Sequence, residues 1–289
     1  FREAITRARK TGARLKAVFT VHLAGQCSNP EKIHGIADEH GIRVIEDAAH
    51  AIGTKYRDSS GASHEIGSCK HSDITLFSFH PAKTIAMGEG GAITTSDEAL
   101  HAKILKLREH GIEKNPDNFT NRELGFDENG IPTPWYYELT ELGYNYRASD
   151  LQCALGHSQL LKLDTFIQVR QEAVNHYQSR LAEIDVSAQS VQQETDCEAA
   201  WHVAMIMFDF EEIGINRAHL MSELRATGIG SQVLYIPVHK QPYYQAISIQ
   251  DELPGADAFY RRSLCLPLSS TMTTSVVDDV VDLLVEIIN

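Results

Sequence analysis

Between Lys16 and Asp47 two short apolar runs enclose a helix with both ends marked, an order that leaves few ways to fold. Residues 16–21 (KAVFTV) have the continuous apolar character of a strand buried on both faces. Asn29 then reads as an N-cap with Pro30 in the first helical position, Ile33, Ile36 and Ala37 as one apolar face, and Gly41 as the stop. Val44 and Ile45 resume a strand at once. Strand, helix and strand with short joints make a βαβ unit, hence an α/β fold whose sheet is parallel with a right-handed crossover.

Farther on, residues 74–79 (ITLFSF) form another strand-like run, followed by Lys83 and by glycines at 88, 90 and 91 before a strand resumes at Ala92. A lysine there sits at the lip of the sheet. It can snorkel as an ordinary strand-end residue, or, with its stem among apolar groups, lose part of its proton affinity and become a nucleophile able to form a Schiff base. Its neighbours weigh on the choice. Asp47 ends the run 43–47, and ligands of open α/β sheets bind at the carboxyl ends of strands, which brings both residues to one crevice. A carboxylate that keeps a pyridine nitrogen protonated and a lysine that forms an imine are the pair that pyridoxal 5'-phosphate (PLP) requires.

Other chemistries find less support. The glycine cluster fails as a dinucleotide fingerprint, because the third glycine of GxGxxG would fall on Ile93, and no GxxxxGK occurs. With 26 Lys and Arg against 39 Asp and Glu and no basic stretch, the chain does not present a nucleic-acid surface. No apolar stretch approaches the ~18 residues of a membrane span, and nothing at the start resembles a signal peptide. Five scattered cysteines without a CxxC suggest reduced thiols in a cytoplasmic protein, and fourteen histidines without HExxH give no metal motif.

The remainder reads as a continuation of the same class. A capping box at residues 95–98 opens a helix bearing Leu100, Ile104 and Leu107, with Gly111 after it. Residues 113–141 form a long polar stretch containing the aromatic PWYYE. Asn145 and Arg147 precede Ser149, an N-cap boxed with Gln152, and so stand near a helix N-terminus where anions are favoured. A broken helix is expected from Asp150 toward Leu181, strands at 203–208 and 232–236, a helix at 217–227 between Asn216 and Gly228, and a closing helix at 276–288.

Five segments, EDAAHAIG (46–53), SDITLFSFHPAK (72–83), GEGG (88–91), LGYNYR (142–147) and YIPVHKQPYY (235–244), resemble in order the signatures of the DegT family of PLP-dependent sugar aminotransferases. Within it they most resemble the UDP-4-keto-sugar aminotransferases of pseudaminic-acid biosynthesis. The resemblance implies a fold type I PLP-dependent transferase: a mostly parallel large domain over residues 1–165, N-terminally incomplete, and a small C-terminal α/β domain over 166–289. It assigns catalysis to Lys83 and Asp47, and cofactor contacts to Asp47, His50, Ser78, Lys83 and Asn145. Substrate contacts fall to Ser78, Asn145, Arg147, Tyr235, Pro237 and His239. Implied partners are L-glutamate, a UDP-linked 4-keto-6-deoxy-HexNAc, and a second copy of the chain sharing its sites in a homodimer. Alternatives are a different sugar, amination at C3, or a non-catalytic PLP-binding or interaction protein. Family members that dehydrate carry His at the lysine position, and Lys83 argues against that chemistry.

Overall fold

The computed structural model describes residues 1–247 and 252–289. Helix α1 (Arg2–Lys10) leads into β1 (Ala17–Val21), α2 (Pro30–Glu39) and β2 (Arg43–Asp47). After them come the hairpin β3 (Lys55–Arg57) and β4 (Ser63–Glu65), then β5 (Ile74–Ser78), β6 (Gly91–Thr94) and α3 (Glu98–Arg108). The first sheet has the order β1-β2-β5-β6, with β1, β2 and β5 parallel and β6 antiparallel at the edge. The βαβ expectation is met, down to the cap: Asn29 Oδ1 accepts from Lys32 N at 2.9 Å and Pro30 stands in the first turn.

One expectation for this sheet fails. Residues 16–21 do not form a strand buried on both faces, since Phe19 and Val21 are each 64% exposed. Only one face of β1 is packed: Val18 lies with Ile5, Ala37, Ile42 and Val44 against α1 and α2, and nothing among the described residues covers the other. The capping box is also shifted. Asp97 caps α3, accepting from Ala99 N and Leu100 N, while Thr95 Oγ1 donates to Asp73 O.

The polar stretch after α3 carries β7 (Ile112–Glu113) and β8 (Glu138–Leu139), paired antiparallel around the one-turn helix α4 (Arg122–Gly125). Helix α5 (Asp150–Leu160), capped by the Ser149–Gln152 box, is separated by a short break from α6 (Leu163–Glu183). Then follow β9 (Ala188–Ser190), β10 (Cys197–Glu198), β11 (Ala204–Phe208), α7 (Phe210–Ile213), α8 (Arg217–Ala226), α9 (Pro242–Ile247), α10 (Pro254–Arg262), β12 (Ser263–Leu266) and α11 (Thr274–Ile288). The expected strand at 232–236 is absent. Gln232 makes a single bridge to Cys265, and the chain then leaves the sheet toward Tyr235; the strand that pairs with β11 is the buried SLCL of β12. The closing helix starts at Thr274, capped by Thr273.

Helices α6, α8 and α11 bury Val174, Tyr177, Leu220, Leu224, Val277, Val281 and Leu284 with the antiparallel sheet β12-β11-β9. Each such aliphatic or aromatic side chain contributes roughly 1.5–3 kcal/mol by leaving water. The same cluster continues through Trp201 and Met205 to Ala48 and Ala51, just beyond the end of β2, so the base of the strand-end crevice is part of the core. No helix among the described residues is long and apolar enough to cross a membrane.

Candidate active site

The parallel pairing that places Asp47 opposite Leu76 puts Asp47 and Ser78 at adjacent carboxyl ends of β2 and β5. Past Ser78 the chain closes a loop: Phe79 N donates to Gly90 O and Met87 N to Phe79 O, both at 2.9 Å. At its foot a Cβ on Gly91 would stand 2.5 Å from Phe77 O, so a side chain there would force β5 and β6 apart. Gln152 Nε2 of α5 donates to Glu89 O at 2.7 Å and fastens the same loop from outside. Lys83 rides on it, its backbone N donating to His80 O at 2.9 Å.

Burial lowers the proton affinity of the half-buried Lys83 amine below that of an ordinary lysine, and the Asp47 charge partly opposes this. Asp47 Oδ1 accepts from Ala49 N at 3.0 Å, which leaves Oδ2 without a hydrogen-bond partner among the described residues. His50, 7% exposed, has its pKa pushed down to about 4, first by burial and then by the Lys83 charge, against the pull of Asp47. Its ring is therefore neutral at physiological pH. Tyr235 Oη lies 3.3 Å from His50 Nε2, and its phenol pKa is raised by burial and by the neighbouring Cys265 and Asp47.

Two further residues join this group without having been singled out in the sequence. The His202 ring lies 4.3 Å from that of His50, centroid to centroid, and its pKa falls to about 3 through burial and the charges of His50, Lys83 and Arg170. Buried Arg170, on α6, donates from Nη1 to His202 O at 2.8 Å. His202 sits one residue ahead of an apolar run and Arg170 inside an amphipathic helix, places where sequence pattern carries packing information only. Nδ1 of His50 and Nδ1 of His202 are both buried and without a hydrogen-bond partner among the described residues. A buried polar atom of this kind costs stability unless something binds it.

The other expected residues are distributed as follows. Ser78, at the end of β5, is half-buried, with Oγ accepting from His80 N at 3.4 Å. Among the described residues, Asn145 and Arg147 form no hydrogen bond or ion pair with the Lys83 group. Asn145 bridges to Glu109, and Arg147 Nη1 contacts Glu109 Oε1 at 2.8 Å and His110 Nε2 at 3.0 Å. Their segment is therefore laid on the C-terminal turn of α3 rather than held by the N-terminus of α5. Pro237 precedes a single turn at Val238–Lys240, and His239 is engaged with Asp257 at 3.0 Å, also outside the Lys83 group.

An amine kept partly out of water, a carboxylate with a spare oxygen and a neutral ring with an unpartnered nitrogen suit the aldehyde, ring nitrogen and ring oxygen of PLP. The residues present fit that cofactor. No group of His, Cys, Asp and Glu among the described residues is arranged to hold a metal ion.

Known proteins resemble this chain over most of its length. The chain is 37% identical over 278 residues to the spore coat polysaccharide biosynthesis protein SpsC of Bacillus subtilis, covering 95% of this chain and 67% of that protein. It is 33% identical over 263 residues to the UDP-4-amino-4,6-dideoxy-N-acetyl-beta-L-altrosamine transaminase of Campylobacter jejuni, covering 91% and 63%. Among solved structures, the Helicobacter pylori aminotransferase PseC, involved in the biosynthesis of pseudoaminic acid, superposes with a TM-score of 0.81 at 25% identity, covering 94% of this chain and 66% of that one. The chain thus spans about two thirds of the length of these relatives. The profile of the DegT/DnrJ/EryC1/StrS aminotransferase family matches residues 1–285, and the chain belongs to that family.

Proposed function

We propose that the chain acts in PLP-dependent transamination of a nucleotide-linked keto sugar, with L-glutamate as amino donor and the C4 ketone of a UDP-linked 4-keto-6-deoxy-HexNAc as acceptor. One observation carries the reading: on the loop just past the carboxyl ends of parallel β2 and β5, the half-buried Lys83 amine lies near enough to Asp47 and His50 for their charges to influence one another. Bound there, PLP supplies an electron sink for the charge left when the donor loses its Cα proton. Lys83 would hold the cofactor through Nζ, Asp47 would keep its ring nitrogen protonated, and His50 would lie at the ring. Ser78, with Asn145 from a second copy in a homodimer, would hold its phosphate. Lys83 Nζ, when free, would accept the proton from the donor's Cα and return one, because burial lowers its proton affinity and so leaves more of the amine unprotonated than in an ordinary lysine. Arg147, Tyr235, Pro237 and His239 would face the sugar nucleotide.

The name of the Campylobacter jejuni relative supports the C4-aminated UDP sugar, and the higher identity to SpsC favours a second reading, an amino sugar of another surface polysaccharide. Incubating the protein with PLP, glutamate and a panel of UDP-keto-sugars, then identifying the product by NMR, separates them. A 4-amino product supports the first reading; amination of only another sugar, or at C3, replaces it with the second. No amination of any sugar, in a protein that stays colourless with PLP, favours a non-catalytic role.

A further inference from the structure

Cys27 and Cys197 are 170 positions apart in sequence, yet their sulfur atoms lie 3.4 Å from one another. Each is 2% exposed. The contact is built from both sides. Cys27 follows the turn Leu23–Gly25, and its backbone N donates to Cys197 Sγ at 3.3 Å; Cys197 opens β10, which pairs with β3. Next to Cys27, the Gln26 side chain bonds to the 192–194 segment twice, donating to Gln192 O at 3.1 Å and accepting from Glu194 N at 2.8 Å. The two sulfurs are thus held in place by backbone fastened on either side of them.

The pair is not sealed off. A cavity of about 150 Å³ lined by Cys27, Asn29, Tyr56, Arg57, Glu194 and Asp196 reaches the Cys27 side of the pair, with the Cys197 sulfur 3.4 Å behind it. Hydrogen bonds from the side chain and backbone of Cys27 favour a thiolate on Cys197, while the same side-chain contact and burial push the Cys27 thiol up. The thiolate is the reactive form of cysteine, and a second thiol in contact is what converts its first oxidation product into a disulfide.

We propose that Cys27 and Cys197 form a dithiol modification site that a hydroperoxide converts to an intramolecular disulfide. The Cys197 thiolate attacks one peroxide oxygen: an S–O bond forms, the O–O bond breaks, and the departing oxygen leaves as water after taking a proton. The sulfur, oxidised by two electrons, is now a sulfenic acid. Cys27 sulfur then attacks it, forming the S–S bond and breaking S–O, and the hydroxide released takes the Cys27 proton to leave as a second water. Two thiols and one hydrogen peroxide become one disulfide and two waters. Closing from 3.4 Å to a bond of about 2.0 Å asks for a small shift of two side chains. The bridge would tie the Leu23–Gly25 turn, whose Ala24 carbonyl accepts from His202 N at 3.0 Å, to the strand that leads to His202. The inference does not depend on the proposed transamination.

The test treats the whole protein with hydrogen peroxide, alkylates the remaining thiols after unfolding, and maps peptides by mass spectrometry without reduction. Expected is a Cys27–Cys197 linked peptide, two hydrogens lighter than the sum of its parts and separated again by dithiothreitol. It should form equally in a Cys153→Ser background, which removes the exposed thiol, and far less after prior unfolding in urea. In Cys27→Ser, Cys197 should be trapped by dimedone as a sulfenic acid. Should both cysteines remain alkylatable while Cys153 is oxidised, or should the link form as readily in urea, the site does not exist. The wild-type map decides the matter even where Cys27→Ser fails to fold.

Discussion

Glu46 and Asp47 are neighbouring carboxylates on one strand, and the alternation of side chains across a sheet gives them different employment. Burial would raise the Glu46 carboxyl, but bonds with His22, Thr75 and Ser72 outweigh it and hold the group below its ordinary value, so Glu46 is a buried structural anion. Asp47 instead turns to the Lys83 side with one oxygen unengaged. Asp47→Asn is therefore expected to keep PLP bound while turnover falls by orders of magnitude, because an amide cannot hold the ring-nitrogen proton. Retention of most of the rate, measured in single turnover with glutamate, would assign that proton to another acid. Lys83→Ala should fold, yet lack the visible absorbance that borohydride abolishes and show no turnover; Lys83→Arg should do no better, since a guanidinium forms no imine. Wild-type turnover in either variant would remove Lys83 from the mechanism. The buried histidines make a prediction that needs no cofactor. His50 and His202 bind protons less readily folded than unfolded, so their neutral burial stabilises the fold fully above the ordinary histidine pKa of about 6.5. That contribution is lost as pH falls toward about 4 for His50 and about 3 for His202. Urea midpoints should drop between about pH 7 and pH 5, by an amount on the order of a few kcal/mol in stability. The slope should flatten in His50→Gln and His202→Gln; an unchanged slope in both would show that other groups govern acid sensitivity.

At the scale of elements, the segment bearing Asn145 and Arg147 is held by backbone contact with the end of α3. His110 N donates to Tyr144 O, Tyr144 N to Leu107 O and Tyr146 N to Arg108 O. Gly111 has φ +73°, and a Cβ there would meet Glu141 O at 1.8 Å. Gly111→Ala is expected to cost about 1–2 kcal/mol for the left-handed backbone alone, with the collision added. The damage should localise as faster amide exchange at residues 140–147, with the sheet end at Asp47 keeping its protection. Uniform loss of protection would instead make this turn part of the cooperative core. None of these contacts could be foreseen from the sequence, where Gly111 reads as a helix stop and Asn145 as a neighbour of the Ser149 cap. What was legible had local cause: the Asn29 and Ser149 caps, the parallel runs 17–21 and 43–47, and the lysine beyond a strand end. What was not legible depends on distant partners. The open face of β1 could not be told from a covered one by apolar character, and β12 was passed over because four buried residues directly after a helix ending in Arg261 and Arg262 carry no alternation. His202 is placed by partners distant in sequence, Arg170 of α6 at its carbonyl and the Ala24 carbonyl at its backbone N.

For the whole molecule, the distribution of exposed apolar groups bears on assembly. Helix α5 has no buried residue, Leu151 is 84% exposed, and Leu142, beside the stacked rings of Tyr144 and Tyr146, is 90% exposed. A run of chain with this much apolar surface is the kind that associates, and it carries Asn145, which bridges to Glu109 and, among the described residues, makes no bond to Lys83 within one chain. If the proposed homodimer completes each site across its interface, Asn145 of one subunit serves Lys83 of the other. Two variants that are each inactive, Lys83→Ala and Asn145→Ala, should then recover activity when mixed. In the heterodimer one site combines the intact Lys83 of one chain with the intact Asn145 of its partner, while the second site carries both lesions. Random pairing makes about half of all dimers heterodimers, each with one working site of two, so recovery should approach about a quarter of wild type. If both residues served a site within a single chain, every heterodimer site would keep one lesion and no activity would return. With heterodimers verified by native mass spectrometry, absence of recovery rejects the shared site. A monomer at micromolar concentration rejects the homodimer itself for this chain, and would leave the apolar surface of residues 135–161 to a different partner.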